Sequence, residues 1–145
     1  MNAAERKISN RRLLVLARFL SELSPRKFNY GVWVEGVRKT EHGPECGTEG
    51  CALGWAASMP YFQKLGLSLE TFPGASKSTR RGGQITLVGR AIDGFDAANQ
   101  VFGNGEYDSD GYEVEELFAP GPREAGFTPK QVAAKIRKFV KAHRP

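Results

Sequence analysis

Thr128-Pro129-Lys130-Gln131-Val132-Ala133-Ala134-Lys135-Ile136-Arg137-Lys138-Phe139-Val140-Lys141 is the stretch whose reading decides the fold. A threonine, a proline directly after it and a glutamine three residues on make a helix start. The threonine side chain and the glutamine satisfy backbone N–H groups reciprocally, and proline brings a φ already suited to the first turn. Behind that start Val132, Ile136, Phe139 and Val140 recur at helical spacing, while Lys130, Lys135, Arg137, Lys138 and Lys141 take the remaining positions. Such an apolar stripe needs a second one to cover it. Ser9 to Leu23 offers it, with Leu13, Leu16, Leu20 and Leu23 at three- and four-residue spacing, Ser9 or Asn10 as the cap and Pro25 as the stop. The two terminal helices are therefore expected to pack on each other.

Between them the chain alternates short apolar runs with turn residues. Phe28 to Val34 alternates in the manner of a strand ended by Gly36, and Lys39 to Gly50 reads as a loop that delivers Cys46 and Cys51 to a helix start. Cys51 to Met59 suits a helix buried on most faces, and Pro60 opens a further turn that runs to Leu65 and stops at Gly66. Residues 68–83 read as an exposed excursion carrying Lys77, Arg80 and Arg81, followed by a strand from Gln84 to Val88 whose simplest partner is 30–34. Gly89 to Phe102 reads as a helix ended by Gly103-Asn104-Gly105, and Asp110 to Phe118 as a short acidic helix. The expected fold class is mainly α, a compact single domain over 1–145 with about five helices and a small two-stranded β element.

Composition agrees with one packed core. The 145 residues are 40% hydrophobic and 26% charged, and a chain of this length buries enough surface to fold without a disulfide staple. The longest strongly apolar run, Leu13 to Ala17, lies between arginines and is far short of the roughly 20 residues that span a bilayer. It is also too short for a secretory signal. A cytoplasmic location with no membrane association is the expectation, and in a reducing compartment a cysteine pair is more often buried, metal-bound or redox-active than bridged.

Charge is segregated along the chain. Lys and Arg number 21 against 16 Asp and Glu, a formal net charge of +5. Arg6, Lys7, Arg11, Arg12, Arg18, Arg26 and Lys27 face only Glu5 and Glu22 in the first 27 residues, and no acid follows Glu124. From 93 to 122 there are acids and no base. A basic surface made of both terminal helices and the 68–83 excursion can neutralise phosphates, with Arg11, Arg12, Arg80, Arg81, Arg137, Lys138 and Lys141 as the candidate anion-binding residues. Solubility alone also selects cations on exposed helix faces, and no known nucleic-acid motif is present. The acidic middle, with Glu113, Glu115 and Glu116 as its candidate contacts, either pairs with the basic termini or meets a basic protein partner.

His42, Cys46 and Cys51 fall within ten residues of one another, and with the distant His143 they complete a four-ligand inventory for tetrahedral zinc. Buried free thiols compete with that reading. Cys51 at a helix start is also where a dipole lowers a thiol pKa, the arrangement of a cysteine nucleophile or, with Cys46, of a redox pair. The spacing departs from both the papain-like and the thioredoxin motifs, and the sole downstream histidine is His143. No cofactor is expected beyond a zinc ion on that set. Glu106-x-Asp108-x-Asp110-Gly111 opens like a calcium loop, but its twelfth place is Leu117 where the bidentate glutamate belongs, so a turn that caps the following helix is favoured. Trp33 and Trp55 read as core residues.

Cys46-Gly47-Thr48, Cys51, Gly54-Trp55-Ala56, the later Ala97-Ala98 and Glu116-Leu117-Phe118-Ala119-Pro120 resemble short bacterial and phage-encoded proteins of unassigned function that carry a Cys-Gly-Thr-x-x-Cys-x-x-Gly-Trp-Ala motif. The resemblance covers most of residues 28–120, and it implies a phage or mobile-element accessory role. With no complete catalytic set in the chain, the leading functional expectation is a non-enzymatic binding protein for an anionic partner, nucleic acid or nucleotide. The alternatives are a protein-interaction module, such as an inhibitor of a host or defence enzyme, and a cysteine-dependent enzyme.

Overall fold

The N-terminal helix α1, Ala3–Glu22, begins two turns before Ser9 because Asn2 and Glu5 make the better start. Asn2 Oδ1 accepts from the Glu5 amide at 2.9 Å and Glu5 Oε2 accepts from the Asn2 amide at 2.8 Å, a reciprocal pair that Ser9 and Asn10 lack partners to form. Ser9 and Asn10 are interior and buried instead. The computed structural model describes residues 1–28, 30, 34–35, 39–40, 43–44, 49–72, 82–103, 113–124 and 126–145.

After α1 come a 3-10 turn at Pro25–Lys27, the two-residue strands β1 Val34–Glu35, β2 Lys39–Thr40, β3 Gly43–Pro44 and β4 Glu49–Gly50, and the helices α2 Ala52–Ala57 and α3 Pro60–Gln63. Strands β5 Leu67–Phe72, β6 Gly82–Leu87 and β7 Arg90–Ala91 follow, then α4 Gly94–Phe102, a 3-10 turn at Val114–Leu117 and α5 Pro129–Ala142. Five α-helices and a small β element are what the sequence leads one to expect, but the sheet is drawn differently. Strand β6 pairs antiparallel with β5, Leu67 opposite Leu87 and Leu69 opposite Ile85, and with β7; most of its expected partner, residues 31–33, lies outside the described residues. Val34 pairs with Gly50. Leu67-Ser68-Leu69-Glu70 has the alternation of a half-buried strand, and Leu67 is buried, so the first part of the supposed excursion belongs to the sheet. Two residues, Val88 and Gly89, both with positive φ, join β6 to β7. Helix α4 therefore starts at Gly94, with Asp93 Oδ1 accepting from the Phe95 amide at 2.9 Å. Of the acidic stretch, 110–112 lie outside the described residues, and 113–118 form a single 3-10 turn at Val114–Leu117 rather than an α-helix.

Helix α5 starts as its sequence dictates, with Thr128 and Gln131 bonded reciprocally at 3.2 and 2.8 Å. It packs antiparallel on α1: Asn10 reaches His143 at one end, and Arg137 Nη2 donates to Ser21 Oγ at 2.8 Å at the other. Leu13, Leu16, Ala17 and Leu20 are fully buried, as are Val132, Ala133 and Ile136 of α5. A chain of aromatic rings ties the middle elements together, Phe62 to Phe102 and Phe102 to Phe118 each at 5.0 Å between centroids. Trp55 packs on Phe19 and donates its indole N–H to Lys27 O at 2.8 Å, a core role. Among the described residues no helix is long and apolar enough to cross a membrane.

Candidate anion-binding groove

Lys7, Arg11, Leu14 and Arg18 stand at i, i+4, i+7 and i+11 of α1 and so share one stripe, beside the stripe that packs on α5. Along this stripe runs an open groove of about 700 Å³, lined by these residues with Asn10, Val15, Val140, Arg144 and Pro145. Its walls come from α1 and from the C-terminal end of α5. The two are pinned together where Asn10 Nδ2 donates to His143 O at 3.1 Å, with His143 Nδ1 2.8 Å from Phe139 O. Arg144, the residue after the pinned His143, lines the groove together with Arg11. None of Lys7, Arg11, Arg18 and Arg144 makes an ion pair or side-chain hydrogen bond with the described residues. The groove thus carries four cations that no carboxylate side chain of those residues pairs with, beside a floor of Leu14, Val15, Val140 and Pro145.

The candidate cations of the sequence divide into two kinds. Arg11 lines the groove, while Arg12 turns inward and its Nη1 donates at 2.7 Å to Val101 O, where a cation meets the negative end of α4. Arg137 is bonded to Ser21, and Lys138 and Lys141 are exposed on α5 outside the groove lining. Arg80 and Arg81 lie outside the described residues. Lys7, Arg18 and Arg144 join the site without having been singled out. The helical spacing from Lys7 to Arg18 was the available signal, hidden by starting the helix at Ser9.

Lys135 is the largest departure from the expected basic face. Its ammonium is drawn off the surface of α5 to Tyr30 Oη at 2.9 Å, Glu116 O at 2.6 Å and Glu124 Oε1 at 3.0 Å. This fixes the acidic turn, on which Glu113 and Glu116 are exposed. Glu115 is half-buried, with Oε1 shielded from solvent and lacking a hydrogen-bond partner among the described residues.

Cys51 is the N-cap of α2, and its Sγ accepts from the Gly54 amide at 3.4 Å. Burial pushes its thiol up to about 11, outweighing the bonds from backbone N–H groups. A thiol so buried is a poor nucleophile at neutral pH. His42 and Cys46 lie outside the described residues, and among those described no group of His, Cys, Asp or Glu is placed to hold a metal ion.

Comparison of the chain with protein families, with curated proteins and with solved structures finds no match.

Proposed function

We propose that this chain is a non-enzymatic binding protein that engages an anionic partner, nucleic acid or nucleotide, in the groove between α1 and the end of α5. The observation that carries the reading is the convergence of Lys7, Arg11, Arg18 and Arg144 on one concave surface without carboxylate partners among the described residues. Uncompensated cations in a concavity focus positive potential and favour phosphate over neutral ligands. The buried, protonated Cys51 thiol speaks against the cysteine-enzyme alternative. The test is titration of labelled oligonucleotides and of ATP into the protein at low and at raised salt. Binding of either that weakens with salt and is lost in an Arg11→Ala, Arg18→Ala double variant is the expected result. Absence of binding to both at low salt overturns the reading.

A second reading rests on the Lys135-held turn, which presents Glu113 and Glu116 in a fixed arrangement to a basic protein partner. Glu113→Lys with Glu116→Lys removes such a complex and leaves oligonucleotide binding in place.

A further inference from the structure

We infer, resting on the reading just given, that the groove takes an extended phosphodiester backbone without regard to base sequence, and not a mononucleotide. Three features of the lining carry this.

The cations are strung out. At about 1.5 Å of rise per residue, Lys7 and Arg18 stand about 16 Å apart along α1, with Arg11 between them. A mononucleotide concentrates its charge on adjacent phosphates, and sites for it gather donors on one point, commonly the N–H groups of a helix N-terminus. The helix end at this groove is the C-terminus of α5, which presents carbonyl oxygens and no free N–H groups. A line of separated cations suits a line of separated phosphates.

The floor offers nothing to a base. Leu14, Val15, Val140 and Pro145 are aliphatic, and the lining contains no aromatic ring on which a base would stack. The single amide in the lining, Asn10, is 6% exposed and turned to His143 O, so it is not presented to a base edge. What remains are Lys and Arg contacts to phosphate, which position a nucleic acid but carry no sequence information.

The experiment is fluorescence anisotropy with two duplexes of unrelated sequence, a single strand of the same length, and ATP as competitor, over salt from about 50 to about 200 mM. The two duplexes are expected to bind with affinities within about twofold of each other, with millimolar ATP displacing neither. Four cations on duplex phosphates give a slope of log K against log salt of about −3.6, and on a single strand about −2.8, so each slope counts the phosphates engaged while the relative affinities tell which form the groove prefers. Arg18→Ala, a change at an exposed position, makes the slope shallower by about one, whereas Lys138→Ala, outside the groove, leaves it unchanged. Displacement by micromolar ATP, or a tenfold preference for one duplex sequence over the other, overturns this inference while leaving the anion-binding reading standing. Failure of oligonucleotides and ATP alike to bind at low salt overturns both.

Discussion

Lys135 Nζ lies 2.9 Å from Tyr30 Oη and 5.2 Å from the centre of the Tyr30 ring, so a lysine from the charged side of α5 is built into the interior edge of the fold. Tyr30 in turn donates to Leu117 O at 2.8 Å, and the same ammonium meets Glu116 O and Glu124 Oε1. One cation thereby joins α5 to the acidic turn and to the turn that follows it.

Replacing Lys135 by Met keeps the stem and deletes the donor. Hydrogen bonds to charged groups contribute about 1.5 to 3 kcal/mol, so a stability loss near the upper end is expected in urea denaturation, against about 1 kcal/mol for Tyr30→Phe. A Lys135→Met protein as stable as its parent would show that the ammonium's desolvation cancels its bonds.

The same tie has a pH signature. The hydrogen bond from Lys135 holds the Glu124 carboxyl below its usual range, against partial burial and with help from the Gly121 N–H. A carboxyl depressed in the folded state contributes stability that is present above its unfolded value and is lost as pH falls through the folded one. Burial pulls Lys135 down, but its bonds to Tyr30 and Glu124 outweigh that and leave it raised, so its contribution is lost only at strongly alkaline pH. Thermal melts should therefore decline more steeply on acidification for the parent than for Glu124→Gln, and equal slopes would remove Glu124 from the acid transition.

Cys51, 1% exposed and with its thiol raised to about 11, is expected to resist thiol reagents until the protein unfolds. In a Cys46→Ala background the labelling rate with a disulfide reagent should follow the unfolding equilibrium and rise sharply in urea. Rapid labelling of the native protein at neutral pH would contradict the buried placement.

Val88 holds φ 51 at the β6–β7 turn while 78% exposed, a conformation that β-branched residues rarely adopt. Strain of this kind amounts to about 1 to 3 kcal/mol, so Val88→Asn, which tolerates the left-handed region, should raise the melting temperature. Gly66, at φ 94, stands under this turn, and a Cβ there would lie 2.9 Å from Val88 Cγ2. Gly66→Ala is expected to destabilise, and adding Val88→Gly should recover the part due to that contact but not the part due to φ.

Asn10 is 6% exposed and carries the pin to His143 O. Asn10→Ala removes the part-buried hydrogen bond to the end of α5, a loss of about 1 kcal/mol. If the pin also seats Arg144, oligonucleotide affinity should fall by more than Lys141→Ala lowers it. Equal effects in the two variants would separate the pin from the groove.

Sequence by itself determined those features whose causes lie within one or two helical turns. Thr128, Pro129 and Gln131 start α5 because a capping box is a local exchange of hydrogen bonds, and the leucine spacing of α1 and the valine and isoleucine spacing of α5 dictate that each buries one face. Even locally the strongest cap won, and the start at Asn2 with Glu5 carried Lys7 onto the helix. Which cations stay free was decided only by tertiary structure. Arg11 and Arg12 are adjacent, yet one lines the groove and the other meets a carbonyl of α4, 89 residues away in sequence. A helix turns successive side chains by about 100°, and what each then meets is set by the neighbouring element and not by the residue type. Lys135 shows the same division: helical period placed it beside the apolar stripe, and the carbonyls and carboxylate brought there by the 113–124 segment drew it in.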